Sequence, residues 1–266
     1  MLDSDRKFEK YLRIIEFFAR QVRFYNVLRT EKEVLRQDTM KYQNVCNGVF
    51  INRLNRFVAE VEIDGVHERV HVKNTGRCRE LLIPRTTVYL QAATNPNRST
   101  RYDLIAVQKK QRLINMDAFA PNVAFYEYLQ RSHHVNGITT IKPEAQYGSS
   151  RFDFYVETLN RRIFIEVKGV TLEEDGVVMF PDAPTERGVK HLNGLVQCVH
   201  DGYEAQVVFV VQMSEVLYFT PNIKMHPAFA DALISAKNAG VVVAAFDCSV
   251  TPDSMTIGKA IEVRLL

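Results

Sequence analysis

Three side chains in two short apolar stretches, residues 152–154 and 163–168, have the types and spacing for metal-dependent chemistry: Asp153, Glu166 and Lys168. Mg²⁺ takes oxygen ligands from one or two carboxylates and keeps several waters. A lysine beside such a metal can orient or deprotonate an attacking water, or stabilise the charge that develops on a phosphate. The residue types therefore indicate cleavage of a phosphodiester.

Both stretches alternate as strands do, and this alternation positions the three side chains. If they form a hairpin with a two- or four-residue turn within residues 158–161, Asp153 lies directly opposite Glu166, with Cβ atoms about 4.5–5.5 Å apart. The same alternation puts Phe152 and Phe154 together on the other face. Two carboxylates this close repel unless a cation offsets them, whereas a loop of odd length would turn Asp153 away. The alternative is a solvated strand face, but the apolar flanks favour a site.

The composition is that of a folded globular protein and excludes several classes. The chain has 266 residues, 46% of them apolar and 24% charged, with a net charge of +3. This charge permits nucleic-acid binding without requiring it. The four cysteines lack metal-ligand or redox spacing, which predicts reduced thiols in a cytoplasmic protein. The longest apolar runs are too short to span a bilayer, so no membrane partner is expected.

Residues 1–39 differ from the rest of the chain. Apolar residues recur there at helical spacing, and the segment contains neither Gly nor Pro, so we predict one or two helices. We interpret it as a helical extension packed on the domain or as the product of a start assigned too early, because Met40 opens a segment of different character. A basic arm that binds a partner or nucleic acid is the alternative.

The elements that must position the site fall into two regions. In residues 42–115 the sequence pattern predicts a series of short strands, with a hairpin turn at Asp64-Gly65. Such a series is typical of a small barrel or sandwich. From about Asn122 helices alternate with strands, and the strands at 206–212 and 241–246 are apolar on both faces, as interior strands are. An α/β region with a mixed sheet is predicted there.

The Asp…Glu-x-Lys pattern on neighbouring strands resembles the PD-(D/E)xK nuclease superfamily. More narrowly, the chain from Met40 onward resembles the sugar fermentation stimulation protein family. The resemblance is carried by Asn55-Arg56-Phe57, Asn74-Thr75-Gly76-Arg77, Ala120-Pro121-Asn122, Tyr147-Gly148, Arg151-Phe152-Asp153-Phe154, Glu166-Val167-Lys168-Gly169-Val170-Thr171-Leu172 and the run from Phe180 to Gly188.

The resemblance implies a fold and a set of roles. It implies an N-terminal OB-like β-barrel, residues 40–118, joined to a restriction-endonuclease-like α/β domain with a mixed sheet, residues 119–266. It assigns Asp153 and Glu166 as metal ligands and Lys168 as the catalytic lysine. It also expects a glutamate from the preceding helix, for which Glu127 fits best and Glu144 is the runner-up.

The resemblance further implies DNA binding and a role in regulating sugar (maltose) utilisation genes in bacteria. Where the family has Ser after the lysine, this chain has Gly169, and we expect the change to be tolerated.

Basic and aromatic residues on the barrel half suit nucleic-acid binding through phosphate contact and stacking. Phe57, which lies among them, is interpreted as a core residue rather than a stacking platform. A helix that begins near Thr185, with Arg187, Lys190 and His191 in its first turns, can hold a phosphate, although a simple capped helix is the alternative. The candidate nucleic-acid-binding residues are Arg53, Arg56, Asn74, Arg77, Arg151, Thr185 and Arg187.

Two functions follow from these residues. The first is a Mg²⁺- or Mn²⁺-dependent nuclease acting on double- or single-stranded DNA. The second is a DNA-binding regulator that keeps the nuclease-like site without cleaving. RNA processing is a weaker third hypothesis, because an OB-like barrel tolerates RNA equally well. A homodimer stays open as a partner.

Overall fold

The computed structural model describes residues 40–74, 76–95, 97–131 and 134–265, so the predicted helical extension at residues 1–39 lies outside the described residues. The described residues belong to one compact unit. Within them, no helix combines the length and the apolar character that a membrane crossing requires.

The first part of the described chain is a closed β-barrel. Its strands follow β1 (Met40–Lys41) and are β2 (Val45–Arg53), β3 (Val58–Ile63), β4 (Val66–Val72), β5 (Thr87–Ala92), β6 (Tyr102–Lys109) and β7 (Arg112–Asn115). The strand order is β4-β3-β2-β5-β6-β7, and a parallel pairing of β4 with β6 closes the barrel. The predicted hairpin turn is confirmed, since Asp64 and Gly65 both have positive φ and join β3 to β4.

The second part is an α/β domain around a mixed seven-stranded sheet. Its order is β1-β16-β15-β13-β10-β9-β8, with β10, β13 and β15 parallel at the centre. The bounds are β8 (Ile138–Tyr147), β9 (Ser150–Thr158), β10 (Arg162–Val170), β13 (Glu204–Val211), β15 (Val242–Thr251) and β16 (Ser254–Ala260). β13 is buried almost throughout, as predicted for an apolar interior strand.

Three helices of the described chain cover this sheet. They are α1 (Ala120–Arg131), α2 (Glu186–His200) and α3 (Pro227–Asn238). α1 packs on one face through Phe125 and Leu129. α2 and α3 lie on the other face, and their core is continuous with the barrel interior. A barrel followed by an α/β domain with a mixed sheet is therefore the observed architecture, as the sequence predicted.

A buried polar network joins the barrel to the α/β domain. Asp117, which follows the last barrel strand, pairs with Lys73 at 2.5 Å and accepts a hydrogen bond from the Tyr42 hydroxyl at 3.2 Å. Gln212, just after β13, donates from Nε2 to the backbone oxygens of Asn115 and Asp117 at 3.1 Å. Because most of these groups are buried and paired, removing one partner would leave a buried polar atom unsatisfied.

A small four-stranded sheet forms a second connection. Its strands are β11 (Leu172–Glu174), β12 (Val177–Phe180), β14 (Tyr218–Pro221) and β17 (Glu262–Val263), in that order. The Glu173 carboxylate on β11 pairs with Lys109 at 2.7 Å and with Arg112 at 2.8 Å, both from barrel strands.

The large sheet ends at the edge strand β8, which is irregular. Pro143 pairs with Phe154 of β9, and Ala145 pairs with Phe152. Between them Glu144 has φ 55°, a left-handed conformation that interrupts the extended strand.

Candidate functional site

The β9–β10 hairpin has the predicted register. Glu157 pairs with Arg162, and the ladder continues to Phe154 opposite Ile165, so Asp153 follows at the level of Glu166. Asp153 does not simply extend the ladder, because its Oδ2 accepts a hydrogen bond from the Val167 amide at 2.7 Å. The carboxylate is therefore held against the backbone of β10 beside Glu166.

The strict alternation predicted for β9 is wrong at one step. Phe154 packs toward α1, with its ring 6.0 Å from that of Phe125. Phe152 packs on the other face, 5.7 Å from Phe164 and 6.1 Å from His191. The change of face occurs at Asp153, between Phe152 and Phe154, and the adjacent strand has the left-handed Glu144 at this level.

Asn122 in the first turn of α1 is a partner of Asp153 that the sequence reasoning missed. Its side-chain amide donates to Asp153 Oδ1 at 2.7 Å. Burial raises the pKa of Asp153, and the charge of Glu166 raises it further, while the Val167 amide, Lys168 and Asn122 oppose these effects. The sequence signal was the Ala120-Pro121-Asn122 motif, but its partner strand could not be inferred from it.

Glu166 is almost completely buried, with 3% of its surface exposed. Its Oε1 accepts hydrogen bonds from Lys168 Nζ and from His191 Nδ1. Burial alone would raise its pKa, but the His191 hydrogen bond and the Lys168 charge outweigh burial and lower it. Its Oε2 is buried and has no hydrogen-bond partner within the described part of the chain.

His191 connects this cluster to the start of α2. Arg187, one turn earlier, donates from Nε to His191 Nε2 at 3.3 Å. A neutral imidazole with its proton on Nδ1 satisfies both contacts, because Nε2 then accepts and Nδ1 donates to Glu166. The sequence placed His191 in the first turns of this helix, but only the packing of α2 against β10 brings it to Glu166.

The structure places the two candidates for a further glutamate elsewhere. Glu127 accepts a hydrogen bond from the Met40 amide at 2.8 Å, on the side of α1 that faces β1 and β16. Glu144 is exposed, and its carboxylate pairs with Arg151 at 2.7 Å. Arg151, a candidate nucleic-acid-binding residue, is therefore already paired with a carboxylate. Neither carboxylate is brought to Asp153, and Asn122 is the α1 side chain that reaches it.

The residues nevertheless fit a hard divalent cation. Among the described residues, no group of three or more His, Cys, Asp and Glu side chains is arranged to hold a metal. Mg²⁺ needs fewer protein ligands, because one or two carboxylates with waters suffice. Asp153 and Glu166 supply two carboxylates, and the unpaired Oε2 of Glu166 supplies a buried oxygen free to coordinate.

A cleft of about 490 Å³ lies between the barrel and the start of α2. Gly169 lies in its wall, one residue after Lys168, and Arg56 and Arg187 contribute the cationic side chains. Asp182 also lines it and carries the opposite charge. A second cavity of about 520 Å³ shares Arg56 with it and adds Arg77.

Gly169 has no room for a side chain. A Cβ there would lie 2.6 Å from Gln212 Oε1 and 2.7 Å from Pro121 Cγ. Gln212 is held by three hydrogen bonds to Asn115 and Asp117 and cannot easily move aside. A serine at this position would therefore require local rearrangement of the packing between α1 and β13.

Arg53 is a structural residue in this molecule. Its guanidinium donates to the backbone oxygens of Asn55, Arg56, Asn74, Gly76 and Arg77 at 2.7–3.3 Å. Asn74 is also occupied locally, since its amide donates to Met116 O and its Oδ1 accepts from the Gly76 amide. Both residues shape the two barrel loops at 54–57 and 74–77 rather than presenting free groups to a ligand.

Arg56, Phe57 and Arg77 are exposed in these loops. The interpretation of Phe57 as a core residue is wrong, because 49% of its surface is exposed. Arg56 lies over the Phe57 ring, 5.5 Å from its centroid. The ring stays outside because the barrel interior is already filled, with Ala59, Val61 and Val70 fully buried.

Thr185 caps α2 as predicted, since its side chain accepts a hydrogen bond from the Gly188 amide at 3.1 Å. Arg187 is exposed at the second helical position and lines the cleft. The cap leaves the helix start directed at the cleft, beside the cation of Arg187.

Known proteins share both parts of this architecture. The family described as the sugar fermentation stimulation protein RE domain matches residues 119–254, and the SfsA N-terminal OB domain matches residues 51–116. A sugar fermentation stimulation protein homolog from Desulfitobacterium hafniense (strain Y51) is 58% identical over 227 residues, which are 85% of this chain and 99% of that protein.

Two less similar proteins match the chain over the same two parts. A homolog from Clostridium beijerinckii is 54% identical over 226 residues, covering 85% of this chain and all of that protein. The structure of Pyrococcus furiosus SfsA in complex with Ca²⁺ is similar with a TM-score of 0.78 and 29% identity, covering 85% of this chain and 98% of that one. The chain, with its OB-type barrel and mixed-sheet α/β domain, therefore belongs to the sugar fermentation stimulation protein family.

Proposed function

We propose that this protein is a divalent-metal-dependent nuclease that cleaves phosphodiester bonds in DNA. The observation that carries the proposal is the buried Glu166, whose Oε2 has no hydrogen-bond partner among the described residues while Asp153 lies beside it. An unpaired buried carboxylate oxygen costs free energy, and a bound cation would offset that cost.

Each residue has a distinct role in this proposal. Asp153 and Glu166 would hold the metal, which supplies a nucleophilic water and polarises the phosphate when bound. Asn122 and the Val167 amide fix the Asp153 carboxylate. Lys168 can stabilise the charge that develops on the phosphate.

His191 positions Glu166 in this arrangement. It donates to Oε1 and so leaves Oε2 as the oxygen directed to a metal. Partners of this kind orient metal ligands.

The Ca²⁺ complex of the Pyrococcus furiosus protein supports a divalent cation in this chain. Ca²⁺ and Mg²⁺ are both hard cations that take oxygen ligands, and they differ in size and ligand number. The two-carboxylate site suits Mg²⁺ or Mn²⁺, which accept waters for the remaining positions.

Nicking of supercoiled plasmid tests the proposal. With Mg²⁺ or Mn²⁺ the protein should nick the plasmid, and Glu166→Gln and Lys168→Met should each lower the rate about 100-fold or more, because each removes part of the charge stabilisation. The exposed Glu174 and Lys142 provide matched controls, since Glu174→Gln and Lys142→Met should keep the wild-type rate. Binding of DNA without metal-dependent cleavage of either the plasmid or single-stranded DNA by the wild type would contradict the nuclease.

Metal binding can be tested separately by calorimetric titration with Mg²⁺ or Mn²⁺. Asp153→Asn should weaken binding about 10-fold or more, because it removes one of two charged ligands. Unchanged metal affinity in this variant would place the metal elsewhere.

The second candidate is a DNA-binding regulator that does not cleave. One observation favours it: Lys168 and His191 already satisfy Oε1 of Glu166, so the cluster is held together by its own hydrogen bonds. In that case the wild type and Lys168→Met would bind DNA with the same affinity and neither would nick plasmid.

A further inference from the structure

Two phenylalanines beside the cleft present large aromatic surfaces to solvent. Phe57 is 49% exposed and Phe119 is 71% exposed. Each is the chain neighbour of a residue that lines the 490 Å³ cleft, Arg56 in one case and Ala118 in the other. Large exposed aromatic side chains beside a charged cleft are typical of a binding surface.

The backbone ties these two residues to the same strand end. The Val72 amide donates to the Phe57 carbonyl at 2.8 Å, and the Ala118 amide donates to the carbonyl of the next residue, Lys73, at 3.0 Å. Both phenylalanines therefore flank the end of β4, where the barrel meets the α/β domain. Arg53 braces the loop that carries Phe57, so that aromatic platform is preformed.

Phe119 also lies next to the candidate metal site. It is followed by Pro121, which would contact any Cβ at Gly169, and by Asn122, which bonds to Asp153. Phe119 therefore lies immediately before the helix that supplies the Asn122 partner of Asp153.

Cationic side chains accompany the two rings along the cleft. Arg56, Arg77 and Arg187 are exposed and line the two adjoining cavities. Asp182 is the opposing charge in the wall and would repel a phosphate from that side. The cationic side chains can follow a phosphate backbone, while the aromatic rings can accept bases.

We propose that the substrate of this site is single-stranded DNA, with unpaired bases stacked on Phe57 and Phe119. Stacking of this kind requires an accessible base face, which a base inside a duplex does not offer. The inference rests on the proposed function, because it names the substrate class of the same site.

Fluorescence anisotropy in EDTA tests binding without cleavage. The wild type should bind a labelled oligothymidylate at least about 10-fold more tightly than a duplex of the same length, because only unpaired bases can stack. Phe57→Ala and Phe119→Ala should each weaken oligothymidylate binding about 10-fold, which corresponds to ~1.4 kcal/mol, and leave duplex binding within about twofold.

Two further sets of variants sharpen the result. Phe57→Trp and Phe119→Trp should keep tight binding, whereas Phe57→Leu and Phe119→Leu should lose it, because leucine keeps apolar area but has no aromatic face. Leu159→Ala is the matched control, since Leu159 is 91% exposed in the loop at the other end of β9 and should not change binding.

Equal affinity for both DNA forms, or alanine variants that bind like the wild type, would overturn the inference. If plasmid nicking with metal persists in that case, the proposed nuclease still stands. If the stacking variants behave as expected but no DNA form is cleaved, single-stranded DNA stands as the ligand of this site and the nuclease fails. Thermal unfolding of each variant separates lost contacts from lost folding.

Discussion

The two oxygens of Glu166 lie in different surroundings, and this difference defines the chemistry of the site. Oε1 is paired with Lys168 and His191, and Oε2 is buried without a hydrogen-bond partner in the described chain. Asp153 is held just as firmly, through Asn122 and the Val167 amide. The carboxylates are thus preorganised, so a cation would bind without first reorganising them.

Glu127 gives a sharp prediction at this scale. Because its carboxylate accepts the Met40 amide rather than facing Asp153, Glu127→Gln should keep metal affinity and nicking within about twofold of the wild type, since no metal ligand is lost. Asp153→Asn, measured in the same titration and nicking assay, should lose both. Loss of metal binding in Glu127→Gln would show that this glutamate reaches the metal after all.

The sequence was informative about Asp153, Glu166 and Lys168 because they depend on strand alternation and hairpin length, which are local. It could not locate the partners that come from helices. Which face of α1 meets β9 depends on tertiary packing, so Asn122 rather than Glu127 reaches the site. His191 likewise depends on how α2 crosses β10.

At the scale of elements, two barrel loops at 54–57 and 74–77 form one wall of the cleft. Arg53 at the end of β2 bonds to backbone oxygens in both loops. The sequence predicted Arg53 as a nucleic-acid-binding residue, because residue type alone cannot distinguish a cation that contacts a ligand from one that braces loops.

Replacing Arg53 tests this bracing role. Arg53→Lys keeps the charge but loses the planar set of donors, so we expect the free energy of unfolding to fall by about 3 kcal/mol. Arg77→Lys, on an exposed neighbour, should change it by less than about 0.5 kcal/mol. Urea unfolding measures both, and equal stability of Arg53→Lys and the wild type would contradict the bracing role.

The sequence predicted the elements whose signals lie within a few neighbouring residues. The β3–β4 hairpin, the β9–β10 register and the cap at Thr185 were predicted. The change of face within β9 was not predicted, because it coincides with a left-handed residue on a different strand.

At the scale of the whole molecule, the barrel and the α/β domain share one core and two polar connections. Glu173 is one of them, bonded to Lys109 and Arg112 of the barrel and to the Gly176 amide. Burial alone would raise its pKa, but these partners lower the pKa of Glu173 from 4.5 to about 2.

This shift predicts how stability depends on pH. A carboxylate whose pKa is lower in the folded state stabilises the fold fully above its unfolded value and loses that contribution as pH falls. We therefore expect stability from Glu173 to decline as pH falls from about 4.5 to about 2. Urea midpoints of Glu173→Gln should fall less over this window than those of the wild type. Exposed Glu174→Gln is the control, and parallel curves for wild type and Glu173→Gln would contradict the prediction.

The irregular strand β8 has a consequence for how copies of this protein can associate. An open sheet edge invites another chain to add a strand, and Pro143, which has no amide hydrogen, together with the charged Lys142 and left-handed Glu144, opposes such addition. A dimer built by continuing the large sheet from one copy into the next is therefore disfavoured at this edge. If two copies do associate, we expect them to meet through side chains on another surface.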